Sequence, residues 1–167
     1  HRDSVGAVQP IQPGEVNWMT AGSGITHSER FDTLRANGGR MHGIQAWVAL
    51  PDGQEEIAPD FANHGPSDLP THQENGLWAR LIAGKAFGAE ARVKTHSPMF
   101  YVHWRLDAGA QGLLPAEYPE RAAYVAQGSV EPFRAEGVPR EEGMQRERHH
   151  PAAALALLVQ HVELIAH

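Results

Sequence analysis

Cysteine is missing from all 167 residues, so disulfides and thiolate metal sites are both excluded. That suits a reducing compartment, and the cytoplasm is the expected location. Long apolar runs are missing as well. None approaches the ~20 residues that a membrane-spanning helix requires, and no signal-peptide pattern opens the chain. A basic stripe is missing too: 14 Lys and Arg stand against 20 Asp and Glu, for a net charge of -6. Such a balance argues against direct nucleic-acid binding through phosphate neutralisation. Gly-x-x-x-x-Gly-Lys, Gly-x-Ser-x-Gly and His-Glu-x-x-His do not occur. The phosphate loop, nucleophile elbow and helical zinc pair that these motifs mark are therefore not expected.

What is present points to a folded, β-rich protein. Apolar residues make up 41% of the chain, enough for a sizeable core in one larger domain or two small ones. The opening HRDSVG, without a methionine and already in mid-pattern, reads as the interior of a domain. Turn signals at Pro10 and Pro13-Gly14 precede EVNWMTA, which predicts a strand. Gly22-Ser23-Gly24 predicts a turn, and ITHSERF a second strand. MHGIQAWVAL, rich in the β-formers Ile44, Trp47 and Val48, predicts a third that stops at Pro51-Asp52-Gly53. Strands this closely spaced suggest a sandwich or small barrel.

From about Asp52 to Asn75 the chain is rich in Pro, Gly, Asp, Asn and Glu and reads as an interdomain connection. Strand patterns return in LWARLIAGKAFG, ARVKTH and MFYVHWRLDAG. In the last of these, Phe100, Val102, Trp104 and Leu106 alternate with polar positions and give one apolar face. The charged stretch 137–150 reads as solvated. After it, Leu155, Leu158, Val159, Val162 and Ile165 fit helical spacing, with Pro151 in the first turn.

Eleven histidines invite a search for metal ligands. In a strand, residues i and i+2 share a face and lie ~6.5–7 Å apart. His27 and Glu29 have that spacing, and imidazole with carboxylate suits non-haem iron, manganese or zinc. Taken alone, His-x-Glu is equally a polar strand pair after an ordinary hairpin turn, and two donors do not complete a site. His1, His42, His64, His72, His96, His103 and the His149-His150 pair read as structural or surface residues.

The longer string IQPGEVNWMTAGSGITHSE, followed by MHGIQAWVALP, resembles the second half of the N-terminal cupin domain of the pirin family. Matching residues include Pro13-Gly14, Trp18 to Gly22, Gly24, His27, Glu29, His42-Gly43 and Gln45-x-Trp47-Val48. LIAGKAFGAEARVKTHSPMFYVHWRLDAGA resembles the entry to that family's C-terminal cupin domain. The resemblance implies an all-β bicupin (double-stranded β-helix, or jelly-roll) with its N-terminal barrel incomplete, while the residue spacing after Pro151 predicts a helical C-terminal end that departs from the family pattern. It implies residues 1–58 as the second half of the N-terminal cupin, 59–76 as the connection and 77–167 as a C-terminal cupin-like domain.

It also implies a site. In pirins three histidines and one glutamate hold an iron, two of the histidines coming from a His-x-His motif upstream of the matched region. His27 and Glu29 correspond to the other two ligands. Fe(II) is the implied cofactor, with other divalent metals as alternatives. Glu29 is the implied catalytic residue, and the reaction is a quercetin 2,3-dioxygenase-type oxidation of a small aromatic substrate such as a flavonol. The alternative is a non-catalytic metal-binding or regulatory cupin, resembling a transcriptional co-regulator and acting through a protein partner.

Overall fold

The computed structural model describes residues 1–131. The helix expected after Pro151 and the charged stretch before it lie outside the described residues. Within them the protein is built from short β-strands. In chain order these are β1 (Arg2–Asp3), β2 (Val16–Thr20), β3 (His27–Ser28), β4 (Asp60–His64), β5 (Thr71–Glu74), β6 (Leu77–Ala86), β7 (Ala89–Glu90) and β8 (Phe100–Leu106). A six-residue helix α1 (Asp32–Asn37), which buries no side chain, follows β3, and a 3-10 turn spans Pro66–Asp68.

Strand β6 is the centre of the largest sheet. Its first half pairs antiparallel with β5, and its last two residues pair with β7. β8 runs antiparallel along it from Leu77↔Leu106 to Gly84↔Phe100. Alternation puts Leu77, Ala79 and Leu81 on one face, where they pack with Phe100, Val102 and Trp104 into the main core. The register then slips: Leu81 pairs with Val102, but Ala83 pairs with Tyr101. The extra residue, Ile82, is a β-bulge, and it turns Ala83 to the opposite face. There Ala83 joins Val93, Met99 and Tyr101 in a second buried cluster. Val16 and Trp18 of β2, together with Ala46, pack against this cluster. The bulge thus adds Ala83 to the surface on which the first part of the chain docks.

β2 pairs with β4 from Val16↔His64 to Thr20↔Asp60. Asn63 Nδ2 donates to Asn17 Oδ1 at 2.9 Å and to Glu15 Oε2 at 3.0 Å, which pins one end of that ladder. Residues 59–76, expected as a connection, therefore carry β4, the 3-10 turn and β5. Low periodicity hid these strands, since DFANH and THQE bury little and do not alternate clearly.

Three expected strands differ from the structure. ITHSERF is paired only at His27–Ser28, and the chain then turns into α1. ARVKTH is a loop with buried Ala91 and Val93. MHGIQAWVAL is not a strand, and Trp47 is 89% exposed. Its β-formers supply propensity only. A strand also needs a neighbour to accept and donate ladder hydrogen bonds, which composition alone does not supply.

Two features of the β6–β8 contact are open to test. Gly84 has φ +75°, and a Cβ there would collide with the carbonyl of Met99. Gly84→Ala combines a left-handed backbone with a backbone clash and is expected to lower stability by about 2 kcal/mol or more in urea unfolding. Burial pushes the Tyr101 hydroxyl up to about 12. Between pH ~10, where an unfolded tyrosine ionises, and pH about 12, the unfolded chain releases this proton while the folded chain keeps it. Stability is therefore full below that window and falls as pH rises through it. Unfolding measured at pH 9 and pH 11 should show the fall, and Tyr101→Phe should make it shallower.

Candidate functional site

The candidate site is reached from the end of β2. Thr20, the last residue of the strand, is buried. The chain then turns: Gly24 N–H donates to the Ala21 carbonyl at 2.9 Å, and Ser23 N–H donates to the Ile57 carbonyl at 2.9 Å. Gly22, with φ +50°, lies against that same Ile57 carbonyl, where any Cβ would collide. The Gly-Ser-Gly reading as a turn is thus realised, with the loop at Ile57 as its clamp.

Beyond the turn, β3 pairs with β1 in the register Asp3↔His27 and Arg2↔Ser28. Ser4 extends the contact, its N–H donating to the Thr26 carbonyl at 2.9 Å while its Oγ accepts from Thr26 N–H at 3.1 Å. Alternation on a strand holds only as far as the ladder does. His27 is held at an exposed ladder position, whereas Glu29 lies one residue past β3, also exposed. An open surface concavity of about 300 Å³ is lined by Arg2, Asp3, Ser4, Thr26, His27 and Ser28.

Behind His27 lies an ordered stack. The His27 ring is stacked on His1, with centroids 5.6 Å apart, and His1 lies flat on Phe61 of β4 at 4.0 Å. His1 Nε2 meets Asp3 Oδ2 at 2.8 Å, with both side chains almost wholly buried. The other Asp3 oxygen accepts from the N–H groups of Val5 (3.1 Å) and Ala7 (2.9 Å). Asp3 therefore ties β1 to the following loop and fixes the His1 ring at once. From the sequence His1 reads as a surface or structural residue, and Asp3 carries no expected role. The signal was available, because HRD carries the same i, i+2 spacing that singled out His27 and Glu29.

Metal ions are normally held by three or more protein donors. Among the described residues no group of three or more His, Cys, Asp or Glu side chains is placed to hold one. His27 and Glu29 alone do not fit a complete iron centre. His64, His72 and His103 lie on β4, β5 and β8, away from β3 in the chain order and pairing. His72 is stacked on Phe87 at 5.1 Å, a packing role.

The Asp3 contacts are testable. Asp3→Ala removes the acceptor of the buried His1 imidazole and of one part-buried and one exposed backbone N–H, and should cost about 1–3 kcal/mol in chemical denaturation. Asp3→Asn keeps an accepting oxygen and should cost less.

Comparison with known proteins bears on the same segment. A sequence profile of the pirin family matches residues 1–48, which contain both His27 and Glu29. A pirin-like protein of Caulobacter vibrioides is 65% identical over 132 residues, covering 78% of this chain and 46% of that protein. A Pseudomonas aeruginosa protein provisionally named quercetin 2,3-dioxygenase is 46% identical over 101 residues, covering 59% of this chain and 30% of that protein. A crystal structure of a Geobacillus kaustophilus protein superposes with a TM-score of 0.56 at 31% identity, covering 64% of this chain and 41% of that one. The chain spans less than half the length of each of these relatives. The all-β cupin fold agrees with the expectation, and no helix among the described residues is long and apolar enough to cross a membrane. Residues 1–48 carry the pirin family's sequence pattern, and the chain is similar to pirin-like proteins over part of their length.

Proposed function

We propose that the protein is a pirin-type non-haem iron oxidoreductase that oxidises a flavonol such as quercetin. The observation that carries this reading is the family match over residues 1–48, the segment that presents His27 and Glu29. The 46% identity to the provisionally named quercetin 2,3-dioxygenase supports the substrate class. In this reading His27 and Glu29 are two ligands of an Fe(II) ion. A complete centre needs further donors besides these two.

Glu29 has a second role in the proposal. Its carboxylate is exposed and able to take the proton of a substrate hydroxyl, the task of a general base. His27 has a stiffer mount. Its ring is backed by His1, Phe61 and Asp3, so its direction is set by the β1–β3 and β2–β4 ladders. The absence of cysteine fits a cytoplasmic setting, where a disulfide-free protein is the norm.

Two measurements test the reading together. Elemental analysis of purified protein should find iron, reduced at least tenfold in His27→Ala. Oxygen consumption on adding quercetin should be lost in Glu29→Ala with the fold intact. Protein that retains no iron and consumes no oxygen would instead support the non-catalytic regulatory reading, with a protein partner in place of the flavonol.

A further inference from the structure

We propose that the cleft between the β6–β7 hairpin and the loop of residues 92–98 binds a small phosphate-bearing anion. The cleft has a volume of about 740 Å³, within the range of small-molecule sites. Its position owes nothing to His27 or Glu29, so the proposal stands apart from the oxidoreductase reading.

Charge is the first observation. The chain as a whole is acidic, with a net charge of -6. Yet the cleft wall carries Lys85, Arg92 and Lys94 against one lining carboxylate, Glu90. Lys85 Nζ lies 3.2 Å from Glu90, and Arg92 donates to Asp68 at 2.8 Å. Both are surface pairs, which hold little and are screened by salt. Neither pair involves Lys94.

Unused donors are the second observation. Lys94, Thr95, His96 and Ser97 line the cleft, and the last three are half-buried. None of the four forms a hydrogen bond or ion pair with the other described residues. Thr and Ser in loops ordinarily turn their hydroxyls onto nearby backbone. Here two hydroxyls, an imidazole, an ammonium and four backbone N–H groups are uncommitted on one short loop.

The third observation is that both ends of this loop are pinned. Ala91 N–H donates to the Gly84 carbonyl at 2.9 Å, and Lys85 N–H donates to the Met99 carbonyl at 3.1 Å. The Tyr118 hydroxyl lies 2.9 Å from the Lys85 carbonyl and 3.0 Å from that of Met99. A loop with fixed ends and unspent donors is pre-organised for a ligand that supplies acceptors. A tetrahedral oxyanion offers several acceptor oxygens at once and draws on hydroxyl, N–H and cationic donors together, which a neutral or apolar ligand cannot do.

The test is a two-dimensional amide NMR titration of the full chain with inorganic phosphate, with ionic strength held constant by sodium chloride. Saturable shifts at the amides of Lys94 to Ser97, absent from β1 and β3, are expected. Lys94→Ala and Ser97→Ala, both outside the strands, should each weaken binding several-fold, and together at least tenfold. Shifts that do not saturate, that chloride reproduces, or that persist unchanged in the double variant would overturn the proposal.

Discussion

The pairing of β6 with β8 is the contact on which the rest of this molecule depends. Both strands are buried along most of their length, and together they supply most of the main core. The bulge at Ile82 divides the pair between two faces, one carrying Leu81 and Val102, the other Ala83 and Tyr101. Gly84 then lets the β8 backbone close in at Met99, where a side chain would hold it off. A local irregularity of one residue thus adds Ala83 to the second apolar surface, beside Val93, Met99 and Tyr101.

Everything at the candidate site hangs from that second surface. Val16 and Trp18 dock on it and carry β2; β2 carries β4; β4 presents Phe61; Phe61 backs His1; and His1 backs His27. The links weaken along the series. The β6–β8 contact is a long ladder with a buried core, while β1–β3 is a pair of two-residue strands with exposed positions. Asp3 compensates at the weak end with three hydrogen-bonding contacts from one buried carboxylate. A carboxylate so placed is costly to bury unless each oxygen is satisfied, and here each is.

Legibility in the sequence followed burial. MFYVHWRLDAG and LWARLIAGKAFG alternate because one face meets the core, and β8 and β6 fall within them. EVNWMTA likewise contains β2. DFANH and THQE were unreadable because their strands are only partly buried, so no selection for apolar side chains marks a face. MHGIQAWVAL failed for the opposite reason. It has the composition of a strand, but composition cannot supply the neighbour that a ladder requires. The turn at Gly22 to Gly24 was readable, since positive φ and close approach to Ile57 both demand glycine.

By itself the sequence determined the β-rich class, the two central strands, the glycine turn and the family resemblance around His27 and Glu29. These are local properties: alternation, turn chemistry and a string of residue types. Only the tertiary structure decided that a bulge splits the core, that β2 and β4 pair across forty residues of chain, and that Asp3 and His1 stand behind His27. It also decided that the β3 ladder stops before Glu29. These depend on which segments meet, and hydrogen-bond partners distant in the chain leave no periodic trace in either strand.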